Sequence, residues 1–316
     1  MSTNTCRHVY GPVASRRLGR SLGIDLVPFK TCTYDCIYCQ LGRTTNKTVE
    51  RKQYVAVEEV LTELERKLAA GDIADYISLA GSGEPTLHAG IGELIGGIKR
   101  LTHIPVAVLT NGSLLWMSEV QDALMAADLV MPSLDAGDES MFRHVNRPHR
   151  GISFERLVEG IAGFTKRFPG EVWLEVFLLA GVTSVPADAK RIADLCKRIG
   201  PSRVQLNTAS RPPAEAFAYA VAPDRLEKLA TLFEGTVEVI SESVDTEAPA
   251  LPRRPVSDEE ILALLSRRPC TLQGVSSGLA LRPGEVVKML DGLSRQGTVR
   301  TVRRNGALFY EAARSA

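Results

Sequence analysis

The 316-residue sequence predicts an α/β protein, a full or partial (β/α) barrel followed by a small helical domain. Three observations carry this expectation. Between residue 21 and about residue 240, short apolar runs alternate with longer amphipathic ones. Residues 246–255, TEAPALPRRP, then place three prolines in ten positions, which neither a helix interior nor a central strand accommodates. Beyond them the pattern changes to three short helices and a hairpin.

In chain order, strands are predicted over residues 22–27, 76–80, 106–110, 129–134, 172–178, 204–207 and 237–240. Helices are predicted over 55–70, 91–101, 118–126, 154–168, 186–199 and 223–233. The first helix sets Val60, Leu61, Leu64 and Leu68 on one face. Ser118 and Asp224 stand where a cap or a first-turn carboxylate helps. Strands separated by helices of this length imply βαβ units and a parallel sheet. Six or seven units fit a full or partial barrel and also an open doubly wound sheet; periodicity does not choose. The expected division is a large domain over 1–245 with an N-terminal extension, a linker over 246–256, and a C-terminal domain over 257–316. In that last part, helices are predicted over 258–267, 272–278 and 283–296, with a hairpin over 298–311 turning at Asn305-Gly306. Three helices and a two-stranded wing resemble a winged helix-turn-helix domain.

Composition excludes several classes. With 44% hydrophobic and 24% charged residues, a core can form without disulfides. A net charge of +1 supplies no global field for nucleic acid or membranes. No apolar window of about twenty residues suggests a membrane span. Residues 1–20 carry Arg7, Arg16, Arg17 and Arg20 but no apolar stretch, so no signal peptide is read and a cytoplasmic location is expected. In a barrel, this arginine run would lie near the amino-terminal face, away from the chemistry unless the N-terminal segment folds back.

Three of the six cysteines crowd into KTCTYDCIYCQLG, residues 30–42. Cys32, Cys36 and Cys39, spaced C-x3-C-x2-C after the first strand, can turn three thiolates toward one point, and thiolates hold iron–sulfur clusters. A four-iron cluster with three protein ligands keeps one iron for a bidentate amino-carboxylate. The alternative, a structural zinc, needs a fourth ligand such as Cys6, His8 or His88. Cys196 and Cys270 read as buried structural residues, and Cys6 remains for a substrate or redox contact.

Further polar residues gather at predicted strand ends, where barrel active sites assemble. Ala80–Thr86 (AGSGEPT) combines glycines that permit close approach with Glu84, a carboxylate suited to an ammonium. Asn111, Ser133 and Asp135 end the third and fourth strands, although Asn111-Gly112 also reads as a plain turn. Arg147 in RHVNRP would hold a carboxylate or phosphate, or form a surface ion pair; Glu175 would point into the barrel. Asn207, Thr208 and Arg211 close the sixth strand. Gly90–Gly96 is glycine-rich without dinucleotide-binding spacing. His88 and His144 read as proton-transfer groups or as surface and capping residues.

C-x3-C-x-aromatic-C, with Tyr38 as the aromatic, resembles the radical S-adenosylmethionine (SAM) superfamily over roughly residues 20–215. The resemblance implies a [4Fe–4S] cluster on Cys32, Cys36 and Cys39 with SAM on the open iron. It implies a one-electron reductant of the flavodoxin or ferredoxin type, and a 5′-deoxyadenosyl radical that abstracts hydrogen from substrate. It places Tyr38 against adenine and Gly81, Gly83 and Glu84 at the SAM amino group, although Ser82 interrupts the usual Gly-Gly-Glu. It assigns Asn111, Ser133 and Asp135 to ribose, the methionine carboxylate or substrate, and Asn207 and Thr208 to adenine and SAM. It marks no further catalytic residue. The Arg-Pro at 147–148 is similar to that of the wyosine-base tRNA synthetase-like and molybdopterin-enzyme-like group. The substrate stays open among small molecules, peptides or proteins, and RNA; the barrel region lacks an evident basic and aromatic track.

In the C-terminal domain, Arg295, Arg300, Arg303 and Arg304 could meet phosphates, with Arg282 and Lys288 as further readers. Glu285 and Asp291 would repel them. Docking or substrate handling is therefore preferred to DNA binding. The second reading is an iron–sulfur redox sensor that binds DNA; it needs the cysteines but neither Gly83-Glu84 nor Ser133-Leu134-Asp135.

Overall fold

The computed structural model describes residues 8–71, 74–240, 256–304 and 306–313. Cys6, Arg7, Asn305 and residues 246–255 of the expected linker lie outside the described residues. In chain order the large domain comprises β1 (Val9–Ser15), β2 (Gly19–Ile24), β3 (Thr31–Cys32), β4 (Asn46–Lys47), α1 (Val57–Ala69), β5 (Tyr76–Leu79), α2 (Ile91–Leu101) and β6 (Val106–Leu109). It continues with α3 (Ser118–Leu124), β7 (Leu129–Met131), α4 (Glu139–Val145), α5 (Phe154–Arg167), β8 (Glu171–Leu178), α6 (Pro186–Ile199), β9 (Arg203–Thr208), α7 (Pro223–Ala230) and β10 (Val237–Val239).

One eight-stranded sheet runs in the order β1-β2-β5-β6-β7-β8-β9-β10. Every pairing from β2 to β10 is parallel, as βαβ units require, and β1 joins β2 antiparallel. Among the described residues no pairing joins β10 back to β1, so the sheet is open and a full barrel is excluded. β1 occupies the outer edge of β2, where closure would need another parallel strand.

The helices form where apolar stripes meet stop and start signals. α6 opens with Pro186 in its first turn and ends at Gly200, whose φ of 67° is left-handed and suits glycine. α5 starts at Ser153, which accepts from the Arg156 N–H, and buries Leu157, Val158, Ile161 and Phe164. Each such side chain contributes roughly 1.5–3 kcal/mol by leaving water. β7 stops at Met131, short of the predicted 134, because Pro132 cannot donate to the ladder. The short α4, unforeseen from the sequence, begins where Asp138 accepts from the Met141 N–H at 2.8 Å.

The C-terminal part folds as α8 (Asp258–Arg267), α9 (Leu272–Leu279), α10 (Pro283–Arg295), β11 (Val299–Arg304) and β12 (Ala307–Ala312), the two strands forming an antiparallel hairpin. α8 carries a capping box between Ser257 and Glu260. Ile261, Leu264, Leu265, Val275, Val286, Leu290 and Leu293 form its core, into which Val13 of β1 also packs. Cys270 is buried in that core. This part therefore rests on the N-terminal hairpin. Lys67 of α1 pairs with Glu260 at 3.4 Å, and the Arg267 guanidinium lies 3.3 Å from Asp25. From the β11–β12 hairpin, Arg304 donates to the carbonyls of Ala216 and Ala218 at 3.3 and 3.2 Å.

Candidate functional site

The parallel strands deliver their polar residues to one edge of the sheet, where the cysteine loop meets them. That loop leaves β2 and is laced to the glycine-rich loop after β5. Lys30 N–H donates to the Ser82 carbonyl at 2.7 Å, and Glu84 N–H donates to the Thr31 carbonyl at 3.1 Å. A Cβ on Gly83 would stand 1.9 Å from the Thr31 oxygen. Gly81 adopts φ +124°, and its Cβ would stand 2.7 Å from the Asp25 carboxyl. These two glycines thus make room for the chain itself, a different reason from the ligand approach read in the sequence.

Each cysteine sulfur is met by one side-chain N–H donor, the three coming from three segments, and the Tyr34 backbone N–H also donates to Cys32. Lys30 Nζ lies 3.1 Å from Cys39 Sγ, Asn111 Nδ2 3.6 Å from Cys32 Sγ, and Asn146 Nδ2 3.6 Å from Cys36 Sγ. Burial pushes the Cys32 thiol up to about 12, with the Glu84 charge adding to it; burial likewise raises Cys36 well above its ordinary value. Thiolates here therefore need a cationic partner. Among the described residues, the group whose three donor atoms all lie within 4.8 Å of one another is His8, Glu59 and Glu63.

Glu84 is buried and braces the next strand. Its Oε1 accepts from Thr86 N–H, Thr86 Oγ1 and Thr110 Oγ1 at 3.0, 2.6 and 2.6 Å, and its Oε2 from Asn111 N–H at 2.8 Å. Burial raises its carboxyl, and these bonds pull it back. Oε2 keeps acceptor capacity beyond the Asn111 bond. Asn111, held by Thr33 Oγ1 at 2.7 Å, joins this brace to Cys32.

Asp135 gathers a second group. It accepts from Tyr38 Oη at 2.5 Å, Asn146 Nδ2 at 2.7 Å and Phe177 N–H at 3.1 Å. The Tyr38 ring stacks on Phe177, centroids 4.0 Å apart. Burial pushes Asp135 up to about 6, the Tyr38 and Asn146 bonds opposing and the Glu175 charge assisting. The fold thus favours the protonated acid. Its contribution is full below about 3.8 and is lost as pH rises through about 6, roughly 3 kcal/mol in all. In metal-free protein, Asp135→Asn should flatten the change in unfolding midpoint between about pH 5 and about pH 7.5. An unaltered pH slope would refute this.

Glu175 forms the third group. Arg17 pairs with it at 2.9 Å, Asn207 Nδ2 donates at 2.9 Å, and Ser133 Oγ lies 3.4 Å away. Burial raises the Glu175 carboxyl, but Arg17 and Asn207 more than offset this and hold it below the usual range. Of the arginine run, Arg17 reaches this cluster by the fold-back the sequence left open, while Arg20 pairs with Asp75. The turn between β1 and β2 folds under the sheet, Leu18 packs on Ala107, Leu129, Met131 and Trp173, and Arg17 reaches the polar cluster.

Other expectations divide. Thr208 spends its hydroxyl on Leu178 O and Val221 N–H, so it supports the strand end. Arg147 pairs with Glu215 at 2.6 Å, beside Arg43 at 2.5 Å. Both His88 nitrogens are engaged, Nε2 with Val55 O and Nδ1 with Gly90 N–H, so neither zinc ligation nor proton transfer remains for it. His144 stacks on Phe217, Cys196 is buried in α6, and Gly90–Gly96 opens an ordinary helix. Lys30, Thr33, Asn146, Asp25 and Arg17 bond into this candidate site and were not among the residues the sequence reading picked for it. Lys30 and Thr33 lay inside the cysteine motif, and Asn146 inside the RHVNRP segment.

A family model described as the radical SAM superfamily matches residues 26–196. A UPF0026 protein of Helicobacter pylori strain J99 is 36% identical over 309 residues, which cover 96% of this chain and 97% of that protein. A protein of Brachyspira hyodysenteriae named GTPase Obg is 40% identical over 306 residues, 96% of this chain but 45% of that protein, so the chain spans less than half of it. Among solved structures, a radical SAM methyltransferase from Sphaerobacter thermophilus superposes with a TM-score of 0.52 at 19% identity, over 72% of this chain and 68% of that one. This last likeness concerns the fold.

Proposed function

Because the chain belongs to the radical SAM superfamily, whose cofactors are a [4Fe–4S] cluster and SAM, we propose that it is an enzyme holding the cluster on Cys32, Cys36 and Cys39. One observation carries the assignment: three thiols on one loop, each with its own N–H donor, seated against the glycine loop of Gly81, Gly83 and Glu84. When bound, the cofactor pair supplies reductive cleavage of SAM and a 5′-deoxyadenosyl radical for hydrogen abstraction.

The chain's own residues bind and orient. Oε2 of Glu84 and the backbone at Gly81 and Gly83 receive the SAM amino group. Asn111, Ser133 and Asp135 line the positions for ribose, the methionine carboxylate and substrate, and Asn207 belongs to the adenine and SAM side. Tyr38 and the strand end at Thr208 bound the adenine side. An external flavodoxin- or ferredoxin-type protein gives the electron. Such a reductant suits a cytoplasmic setting, and no helix among the described residues is long and apolar enough to cross a membrane.

The C-terminal domain, read as a winged helix, serves docking or substrate handling. Its arginines are largely engaged within the chain: Arg282 with Glu285, Arg295 with Asp291, Arg300 with Glu311, and Arg304 with carbonyls of the 216–218 segment. These engagements support docking or substrate handling over a DNA-binding sensor.

Anaerobic reconstitution tests the enzyme reading. With dithionite and SAM, the protein should hold about four irons per chain and release 5′-deoxyadenosine. A single bound zinc and no 5′-deoxyadenosine would overturn it.

A further inference from the structure

Lys30 combines three unusual features. The residue is only 3% exposed, although lysine is rarely buried without a partner. Its φ is +56°, one of three positive values at non-glycine residues among the described residues. Its ammonium meets no carboxylate there; its side-chain partner is the Cys39 sulfur at 3.1 Å. The left-handed backbone is held from both sides, by the bond of its N–H to Ser82 O and by Asn46 N–H donating to its carbonyl at 3.1 Å. A strained residue persists where its surroundings over-determine it, and such sites cluster at functional positions. Here the strain turns a buried cation onto one thiol of the cysteine loop.

We propose that Lys30 is a positioning residue for electron entry: its ammonium, set against the Cys39 sulfur, raises the reduction potential of the cluster. This rests on the reading of the three cysteines as cluster ligands. The step is a one-electron transfer, in which the external reductant is oxidised by one electron and the cluster gains one negative charge. No bond or proton moves. A fixed positive charge and an N–H donor to a ligand sulfur both favour the more negative state, and both are known determinants of cluster potential.

Three variants of the full chain test the idea after anaerobic reconstitution, read by redox titration with EPR detection of the reduced cluster. Lys30→Gly removes the charge and relieves the left-handed strain, so its unfolding midpoint should be unchanged or higher. Its reduced-to-oxidised ratio at a fixed reductant poise should fall about tenfold, 59 mV for a one-electron couple. Lys30→Gln keeps an N–H donor without charge and should fall between wild type and Lys30→Gly. Lys30→Arg keeps the charge and should retain most of the wild-type potential.

Equal potentials in wild type and all three variants overturn the proposal. So does loss of iron from Lys30→Gly and Lys30→Gln together when neither unfolds earlier than wild type, because Lys30 would then govern loading. A wild-type chain that binds no cluster would sink the cysteine reading itself, a result distinct from equal potentials in loaded proteins.

Discussion

Cys36→Ala should lose the cluster and with it SAM cleavage, a fall of roughly 10⁶-fold or more in rate, while the sheet and its helices stay folded. The Cys36 side chain is half-buried in a loop, and its sulfur accepts one weak bond, from Asn146. Asn146 keeps its stronger partner, Asp135 at 2.7 Å, when that sulfur goes. The loss of stability should therefore stay near 1 kcal/mol, within the range of ordinary point substitutions. Cys196→Ala is the matched control. That thiol is packed in α6 against the main core, so its removal costs packing but spares iron and activity. Iron content and 5′-deoxyadenosine, measured on both variants, separate the two roles. A Cys36→Ala protein with wild-type iron would show that this sulfur ligates nothing.

The grouping of three cysteines on one loop was legible from spacing, because it is a local pattern. Most of the parallel sheet was legible for the same reason. α2, α6 and α8 occupy the predicted residues, each having an apolar stripe bounded by its own signals. β1 was not foreseen. Gly11-Pro12 interrupts it, a pair that argues against a strand, and the pairing with β2 shifts register there. What escaped at the site depends on distant parts of the chain returning. Asn146 reaches Cys36 across 110 positions, and Asn111 reaches Cys32 across 79. Arg17 was placed on the far face unless the N-terminal segment folds back, because nothing in its neighbourhood announces that the first hairpin tucks beneath the sheet. Glu84 was found by its motif, yet most of its acceptor capacity serves the chain, which a motif cannot reveal.

The C-terminal part touches the candidate site through one ion pair, and Arg267→Met should expose its effect. Arg267 ends α8, stacks on the Tyr10 ring at 4.4 Å and faces Asp25 at 3.3 Å, both charged side chains nearly buried. Asp25 in turn accepts from Ser82 N–H at 3.0 Å and from its hydroxyl, and it fills the space a side chain at Gly81 would need. One carboxylate thus ties α8 to the loop assigned to the SAM amino group. Removing the guanidinium strands that charge in a dry site, which costs about 3–5 kcal/mol. Asp25→Asn combined with Arg267→Met should recover much of that loss, because no unpaired charge then remains, and the cycle of single and double variants measures the coupling. SAM affinity should fall in Arg267→Met while iron content holds, since the cysteines keep their donors. Should Arg267→Met unfold in denaturant at the wild-type midpoint and bind SAM normally, the ion pair would be incidental. The C-terminal domain would then be an appendage to the site, and the glycine loop would keep its shape from the cysteine loop alone.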